Sequence, residues 1–178
     1  MEQFLSDVGT QTWLSFPVIA ARLLLATALG AAVGFEREWQ QRPAGLRTHM
    51  LVCLAAAMIA VLTIEIAHVD FFQGESIRVD PIRLVEAVTA GVAFLAAGLI
   101  IFSKGEVHGL TTGAGMWLAA AVGLACGLGF WQIAVLATAL ALIILGVLRD
   151  AGALATPSED SSKGSTAAGE TAFSGDEH

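Results

Sequence analysis

The side chains that could do chemistry in this sequence are a few charged and polar groups that interrupt or end long apolar runs. An ionisable group at membrane depth is costly, so a group placed there usually has a structural or functional partner. One set, here called the His49 cluster, comprises Glu36, Arg37, Arg47, Thr48, His49, Thr111 and Thr112. A second set, here called the Asp80 cluster, comprises Arg22, Asp80, Arg83 and Glu86.

The His49 cluster joins the first apolar run to the second. Glu36 and Arg37 end the first run, and the second begins just after Arg47. Across so short a loop we expect Glu36 to approach Arg47, and this ion pair would hold the two helices as a hairpin. Two interpretations of the arginines remain: anchors that snorkel to the membrane surface, or a site for a phosphate headgroup, an anionic ligand or a partner protein.

The remaining members of this cluster precede the fourth apolar run. Thr111 or Thr112 is predicted to cap the helix that begins there. His49 and His108 alone do not form a metal site, because the chain has no dense cluster of His, Cys and Asp. The sequence therefore predicts no cofactor.

The Asp80 cluster lies at the start of the third apolar run. Asp80 followed by Pro81 is typical of a helix start, with the aspartate as the N-cap. Arg83 and Glu86 share a helix face, and Arg22 is predicted to lie near the same leaflet. We expect the four charged side chains to form a structural network. The alternatives are a path for a solute or a magnesium site at Asp80 and Glu86, although the arginines would neutralise those carboxylates first.

The composition excludes an ordinary soluble enzyme. Of the 178 residues, 56% are hydrophobic and 14% are charged, whereas about a quarter of the residues in soluble domains are charged. The chain has no Gly-Lys-Ser/Thr phosphate loop, no Gly-x-Ser-x-Gly and no His-Glu-x-x-His. We therefore predict a membrane protein that is not an enzyme.

The apolar runs predict an all-α fold, a polytopic membrane bundle of about five transmembrane helices. A helix needs about 20 apolar residues to cross the hydrocarbon core. Three runs have that length: Pro17–Phe35, Thr48–Ala67 and Pro81–Phe102. The run Thr111–Leu148 is almost twice as long, and we expect it to turn back at Cys126–Gln132, where two glycines allow a tight bend.

The spans divide the chain into three parts. Residues 1–16 form an N-terminal extramembrane segment, residues 17–149 the transmembrane domain, and residues 150–178 an acidic tail that is predicted to be disordered. The N-terminus carries acids where a signal peptide needs a basic segment, so we expect the first run to be retained. Five basic residues in short loops fall on one side, which predicts an outer N-terminus and a cytoplasmic C-terminus; they are Arg37, Arg42, Arg47, Lys104 and Arg149.

Small residues recur at helical spacing along three of the runs. They let helix backbones approach closely in lipid, and we expect tight packing within one bundle or between protomers of a homo-oligomer. Cys53 and Cys126 lie inside apolar runs and are predicted to be small packing residues. The small residues are Ala26, Gly30 and Gly34; Gly115, Ala119, Gly123 and Gly127; and Ala87, Gly91 and Gly98.

These segments, taken in order from Arg22 to Arg149, resemble the membrane domain of the MgtC/SapB family. The most specific string is Ala44-Gly45-Leu46-Arg47-Thr48-His49. Further matching segments are Arg22-Leu23-Leu24-Leu25 with Gly30, Gly34, Glu36 and Arg37; Asp80-Pro81-x-Arg83; Gly91-x-x-Phe94-Leu95-x-x-Gly98; and Gly109-Leu110-Thr111-Thr112 with Trp117.

The resemblance implies a bacterial inner-membrane protein linked to adaptation to low magnesium or envelope stress and, in pathogens, to survival in macrophages. Members of the family are associated either with magnesium transport or with regulation of membrane partners, including the proton-translocating ATP synthase. The expected contacts are with membrane lipid and with protein, not with nucleic acid. The positions that the resemblance marks as functionally sensitive are Glu36, Arg37, Arg47, Thr48, His49, Asp80 and Arg83.

Overall fold

Five α-helices and one short β-hairpin make up the fold in the computed structural model, which describes residues 12–68, 80–103 and 106–154. The all-α membrane bundle that the apolar runs predict is confirmed. Among the residues whose side chains the structure describes, four of the helices are long and apolar enough to cross a membrane. The elements are α1 (Phe16–Trp39), α2 (Leu46–His68), α3 (Pro81–Leu99), β1 (Ile101–Ser103), β2 (Glu106–His108), α4 (Leu110–Leu128) and α5 (Trp131–Leu154).

The start of α3 follows the prediction, whereas the start of α4 does not. The Asp80 carboxylate accepts a hydrogen bond from the Ile82 amide at 2.9 Å, and Pro81 occupies the first helical position. In α4 the N-cap is Gly109, which has no side chain that could cap the helix. The predicted cap at Thr111 or Thr112 is therefore wrong, because the helix begins at Leu110 and places both threonines inside its first turn.

The third apolar run ends in a strand rather than in a longer helix. Helix α3 stops at Leu99, three residues before the predicted end, and Ile101–Ser103 pairs antiparallel with Glu106–His108. Branched and aromatic side chains such as Ile101 and Phe102 favour extended backbone. A short apolar run is compatible with a helix or a strand, so hydropathy alone does not show that the helix ends before these residues.

The predicted turn in the long fourth run is confirmed at Gly129. This residue has φ 93°, a left-handed conformation that glycine adopts without strain. The amides of Gly129 and Phe130 donate to the carbonyls of Cys126 and Ala125, at 3.0 and 2.8 Å. This Schellman arrangement ends α4 and lets α5 begin at Trp131.

Helix α2 is the central element, and α1 and α4 pack against it through their small-residue stripes. A Cβ atom on Gly34 would lie 2.8 Å from the Leu46 Cα atom, and one on Gly123 would overlap the Cys53 carbonyl oxygen. Such distances require direct backbone contact between the helices. The tight packing predicted from these stripes is therefore confirmed for α1 and α4. On α3, by contrast, no heavy atom of the described residues lies within 4 Å of the Cβ position of Gly91.

The core consists of two groups of small and branched side chains around α2 and α4. One contains Leu84, Val88 and Val92 of α3; the other contains Ala26 of α1 and Ala134 of α5. Both cysteines are free and buried, as predicted for packing residues, and the Cys53 thiol donates to the Ala119 carbonyl at 2.9 Å.

Helix α5 continues to Leu154, so residues 150–154, predicted as part of the tail, are helical. The predictions for residues 1–11 and 155–178 lie outside the described residues.

Candidate functional site

The His49 cluster lies where the last turn of α1 meets the first turn of α2. Arg37 continues the buried face of α1 and is only 2% exposed. Its Nε atom lies 2.9 Å from Oε2 of Glu36, yet neither atom makes a hydrogen bond within the described part of the chain. The other carboxylate oxygen of Glu36 accepts from Gln40. This is a largely buried ion pair whose hydrogen-bonding capacity is not filled.

Arg47 does not join that pair, so the predicted approach of Glu36 to Arg47 is wrong. Arg47 is exposed, whereas His49, two residues later on α2, is fully buried. Residues two apart on a helix point about 200° apart, so the two side chains cannot share the face that contacts α1. Because α1 extends to Trp39, Glu36 also lies inside the helix and not in the loop.

The hairpin is instead held by Glu38, which the sequence reasoning missed. Its Oε2 atom accepts a hydrogen bond from the Leu46 amide at 2.8 Å, at the start of α2. A carboxylate is stabilised there by the free amides and positive end of the helix. No local pattern identifies this contact, because eight residues separate the donor from the acceptor.

His49 has one satisfied and one unsatisfied ring nitrogen. Nδ1 lies 2.9 Å from the Gly45 carbonyl oxygen, and because that oxygen can only accept, Nδ1 carries the hydrogen. Nε2 is then an acceptor, and it is buried with no hydrogen-bond partner in the described residues. It faces α4, since a Cβ on Gly115 would lie 3.3 Å away. Nearly all buried polar groups have partners, so this nitrogen marks a site that could receive a donor.

The three threonines of the cluster lie at the same end of the bundle. Helices α2 and α4 run in the same direction, because His49 lies beside Gly115 and Cys53 beside Ala119. Their first turns therefore meet near the last turn of α1. Thr112 is buried, Thr48 is half-buried and Thr111 is exposed. The structure thus brings the cluster to one end but buries only Arg37, His49 and Thr112 fully.

The Asp80 cluster is not brought together, and the predicted four-residue network is wrong. Nη1 of Arg22 donates to the Gly127 carbonyl at 2.8 Å, while Asp80 caps α3. Arg83 and Glu86 are exposed on α3 and make no ion pair within residues 12–68, 80–103 and 106–154. Arg22 binds the C-terminal end of α4 instead of the carboxylates because the last carbonyls of a helix lack helical partners and attract a cation.

A further contact missed from the sequence joins the far end of α2 to the segment before α1. The Glu65 carboxylate accepts from the amides of Trp13 and Leu14, at 2.7 and 3.0 Å. The ring of Trp13 stacks on His68 with centroids 3.9 Å apart. The sequence does contain a signal for this contact, because Glu65 is an acid inside the second apolar run and such a residue needs a partner. The α1–α2 pair is thus fastened by a carboxylate at each end.

The described residues hold no group of three or more His, Cys, Asp or Glu side chains that could bind a metal ion. They do form an apolar groove of about 230 Å³ between α3, α4 and the start of α5. Val88, Trp117, Leu124 and Phe130 are among its lining residues, none of which is ionisable. The groove is therefore suited to an apolar occupant such as an acyl chain.

Replacing Arg22 tests its role as a helix cap. Arg22→Gln removes the guanidinium from the Gly127 carbonyl, and we expect the free energy of unfolding in detergent to fall by about 2 kcal/mol. Arg42→Gln is the matched control, because Arg42 is exposed in the loop after α1, and its effect should stay within about 0.5 kcal/mol. Equal losses in the two variants would show that the bond to Gly127 contributes no stability.

Comparison with known proteins places this arrangement in a family. The model of the MgtC family matches residues 23–154. Protein MgtC of Brucella abortus is 36% identical over 137 residues, which are 77% of this chain and 54% of that protein. Protein SapB of Bacillus subtilis is 36% identical over 115 residues, 64% of this chain and 49% of that protein.

A third relative carries a functional name. The Escherichia coli K12 protein named "Putative magnesium transporter YhiD" is 32% identical over 126 residues, 71% of this chain and 58% of that protein. The chain thus spans about half the length of these relatives. No solved structure matches it. The family model and the three relatives show that the chain belongs to the MgtC family.

Proposed function

We propose that this chain is a non-enzymatic protein of the bacterial inner membrane that serves adaptation to low magnesium or envelope stress through helix contacts. The contacts are made in the membrane, with a second copy or with another membrane protein. The family supports the physiological setting, since one relative is named for magnesium. The distribution of basic residues supports a periplasmic N-terminus and a cytoplasmic C-terminus.

The placement of the Asp80 cluster is the observation that carries this proposal. Had its four side chains faced a common cavity, they would have been suited to conducting an ion. Instead, Arg22 binds the end of α4 and Asp80 caps α3. Arg83 and Glu86 lie on the outer surface of the bundle. Their positions support contact with neighbouring molecules more than passage through the bundle.

Transport of magnesium or another small solute is the second candidate, and the name of the Escherichia coli relative favours it. The two functions are separated by measuring Mg²⁺ entry into liposomes that contain the purified protein and an internal magnesium dye. We expect no entry above that of empty liposomes, for the wild type and for Arg47→Ala alike. A magnesium channel of unrelated sequence serves as the positive control.

Asp80→Asn is the informative variant in this assay. Asparagine caps a helix as well as aspartate does, so the substitution removes a charge while keeping the bond to Ile82. We expect the variant to restore growth of a deletion strain in low magnesium as well as the wild type does. Magnesium entry that Asp80→Asn abolishes, in protein shown to be folded by circular dichroism, would replace the contact function with transport.

A further inference from the structure

The outward surface of α3 differs from the outward surfaces of the other helices. Leu24 on α1, Leu51 on α2 and Leu136 on α5 are 70%, 65% and 61% exposed, as expected for large apolar side chains that face lipid. On one side of α3 the exposed residues are two charges, several small residues and one phenylalanine, and Ile82, Val85 and Leu95 are exposed beside them. We call this set the α3 outer face, and it comprises Arg83, Glu86, Ala87, Gly91, Phe94 and Gly98.

This surface is open in the single chain. Only 17% of the α3 span is buried, compared with 22% of the α1 span, 28% of the α2 span and 61% of the α4 span. Among the described residues, no heavy atom lies within 4 Å of the Cβ positions of Gly91 and Gly98, and Phe94 between them is 81% exposed. Buried positions Leu84, Val88 and Val92 hold an adjacent side of α3 against α4. The outer face is therefore turned away from the bundle.

Lipid alone is a poor neighbour for this face. Opposite charges on a membrane helix are costly unless they are paired, and Arg83 and Glu86 make no ion pair among the described residues. Small residues on the same surface allow another helix to approach until the backbones touch, as α1 and α4 do against α2. Charge and shape both fit a second helix.

The order of the charges makes this face complementary to a second α3. In a two-fold dimer whose axis is normal to the membrane, the two α3 helices run in parallel. Arg83 and Glu86 are three residues apart, about 4.5 Å along the helix axis. Arg83 of each copy then reaches Glu86 of the other, and both ion pairs form at once, as an isologous interface requires. Phe94 of one copy packs over the glycines of the other.

We propose that the α3 outer face pairs with the same face of a second copy of this chain. The pairing deepens the proposed function, on which it rests, by naming one contact partner in the membrane. The lipid-facing leucines of α1, α2 and α5 lie on other surfaces, so the dimer leaves them in contact with lipid.

Disulfide cross-linking in lipid vesicles tests the pairing. Ala87→Cys places a thiol on the α3 outer face, and Leu24→Cys places the matched control on the exposed surface of α1. The native thiols are buried and stay in place. With a copper oxidant, we expect Ala87→Cys to form a covalent dimer and Leu24→Cys to form none. Equal cross-linking at both positions would overturn the proposal.

Charge reversal tests the partner assignment. Adding Arg83→Glu to Ala87→Cys sets like charges against each other, and the rate of cross-linking should fall about tenfold. Adding Glu86→Arg as well reverses both charges, and we expect the rate to recover. Failure of the folded double variant to recover would overturn the assignment to a second copy.

Gly91→Leu provides an independent test that leaves the charges unchanged. Its bulk should keep the two helices apart and abolish cross-linking of Ala87→Cys, while circular dichroism shows that the monomer is folded. Unchanged cross-linking in this variant would also overturn the proposal. The liposome assay distinguishes failure of the pairing from failure of the proposed function. If the protein cross-links as a dimer and also admits magnesium, the pairing stands and the contact function is refuted. If it neither cross-links nor admits magnesium, the contact function stands and the pairing is refuted.

Discussion

Gly123→Ala is expected to lower the free energy of unfolding by about 3 kcal/mol, because overpacking against rigid backbone is poorly relieved. The added Cβ would overlap the Cys53 carbonyl oxygen, which belongs to the backbone of α2. No side-chain rotation removes this overlap, so α2 and α4 must separate. The separation also weakens the bond from the Cys53 thiol to Ala119. Unfolding by a denaturing detergent, followed by circular dichroism, measures the loss.

The matched control for this prediction is Gly91→Ala, in dilute micelles in which the chain is monomeric. The Cβ position of Gly91 is open, so the alanine meets no atom of residues 12–68, 80–103 and 106–154. Alanine is also the better helix former, and we expect no loss of stability or a gain of up to about 1 kcal/mol. A loss at Gly91 as large as that at Gly123 would show that the backbone contact of α2 with α4 is not the cause.

The features that the sequence predicts well are those that depend on neighbouring residues. The length of the apolar runs gives the helices, because the hydrocarbon core sets their minimum length. Asp80 and Pro81 indicate a helix start through contacts within one turn. Gly129 indicates the turn between α4 and α5 because few other residues adopt its φ of 93°. Each of these signals can be recognised from a few consecutive residues.

The small-residue stripes are an intermediate case. Their spacing indicates that a helix can be approached closely, but it does not say by what. The stripes of α1 and α4 lie against α2, whereas Gly91 and Gly98 on α3 have no neighbour within 4 Å of their Cβ positions in the part of the chain that the structure describes. The α3 pattern is less regular than the other two, because Gly98 follows Gly91 by seven residues rather than four. Only the arrangement of the helices shows which of them remains available for another molecule.

The partners of the charged side chains could not be predicted, because they depend on how the helices are arranged. Arg22 binds the carbonyl of Gly127, 105 residues away in the sequence, and no pattern relates the two positions. The short loop between Glu36 and Arg47 predicts that the two side chains approach each other. The rotation of α2 places His49 against α1 instead, so Arg47 is exposed. Each of these pairs depends on side-chain direction, which turns by about 100° for each residue along a helix.

His49 is the second position at which a substitution should have a large effect. His49→Ala leaves a cavity among α1, α2 and α4 and removes the hydrogen bond from Nδ1 to Gly45. We expect the free energy of unfolding to fall by about 3 kcal/mol, the sum of a packing loss and a lost hydrogen bond. The measurement is the same detergent unfolding, with Arg42→Gln as the surface control.

Two further variants separate the contributions of the two ring nitrogens. His49→Asn keeps a donor near the position of Nδ1 and has no atom at that of Nε2, whereas His49→Gln does the reverse. Since only Nδ1 has a partner among the described residues, asparagine should retain about 1 kcal/mol more stability than glutamine. The opposite order, measured in lipid vesicles, would contradict this expectation. It would mean that Nε2 accepts a hydrogen bond in the membrane and that this bond outweighs the one to Gly45.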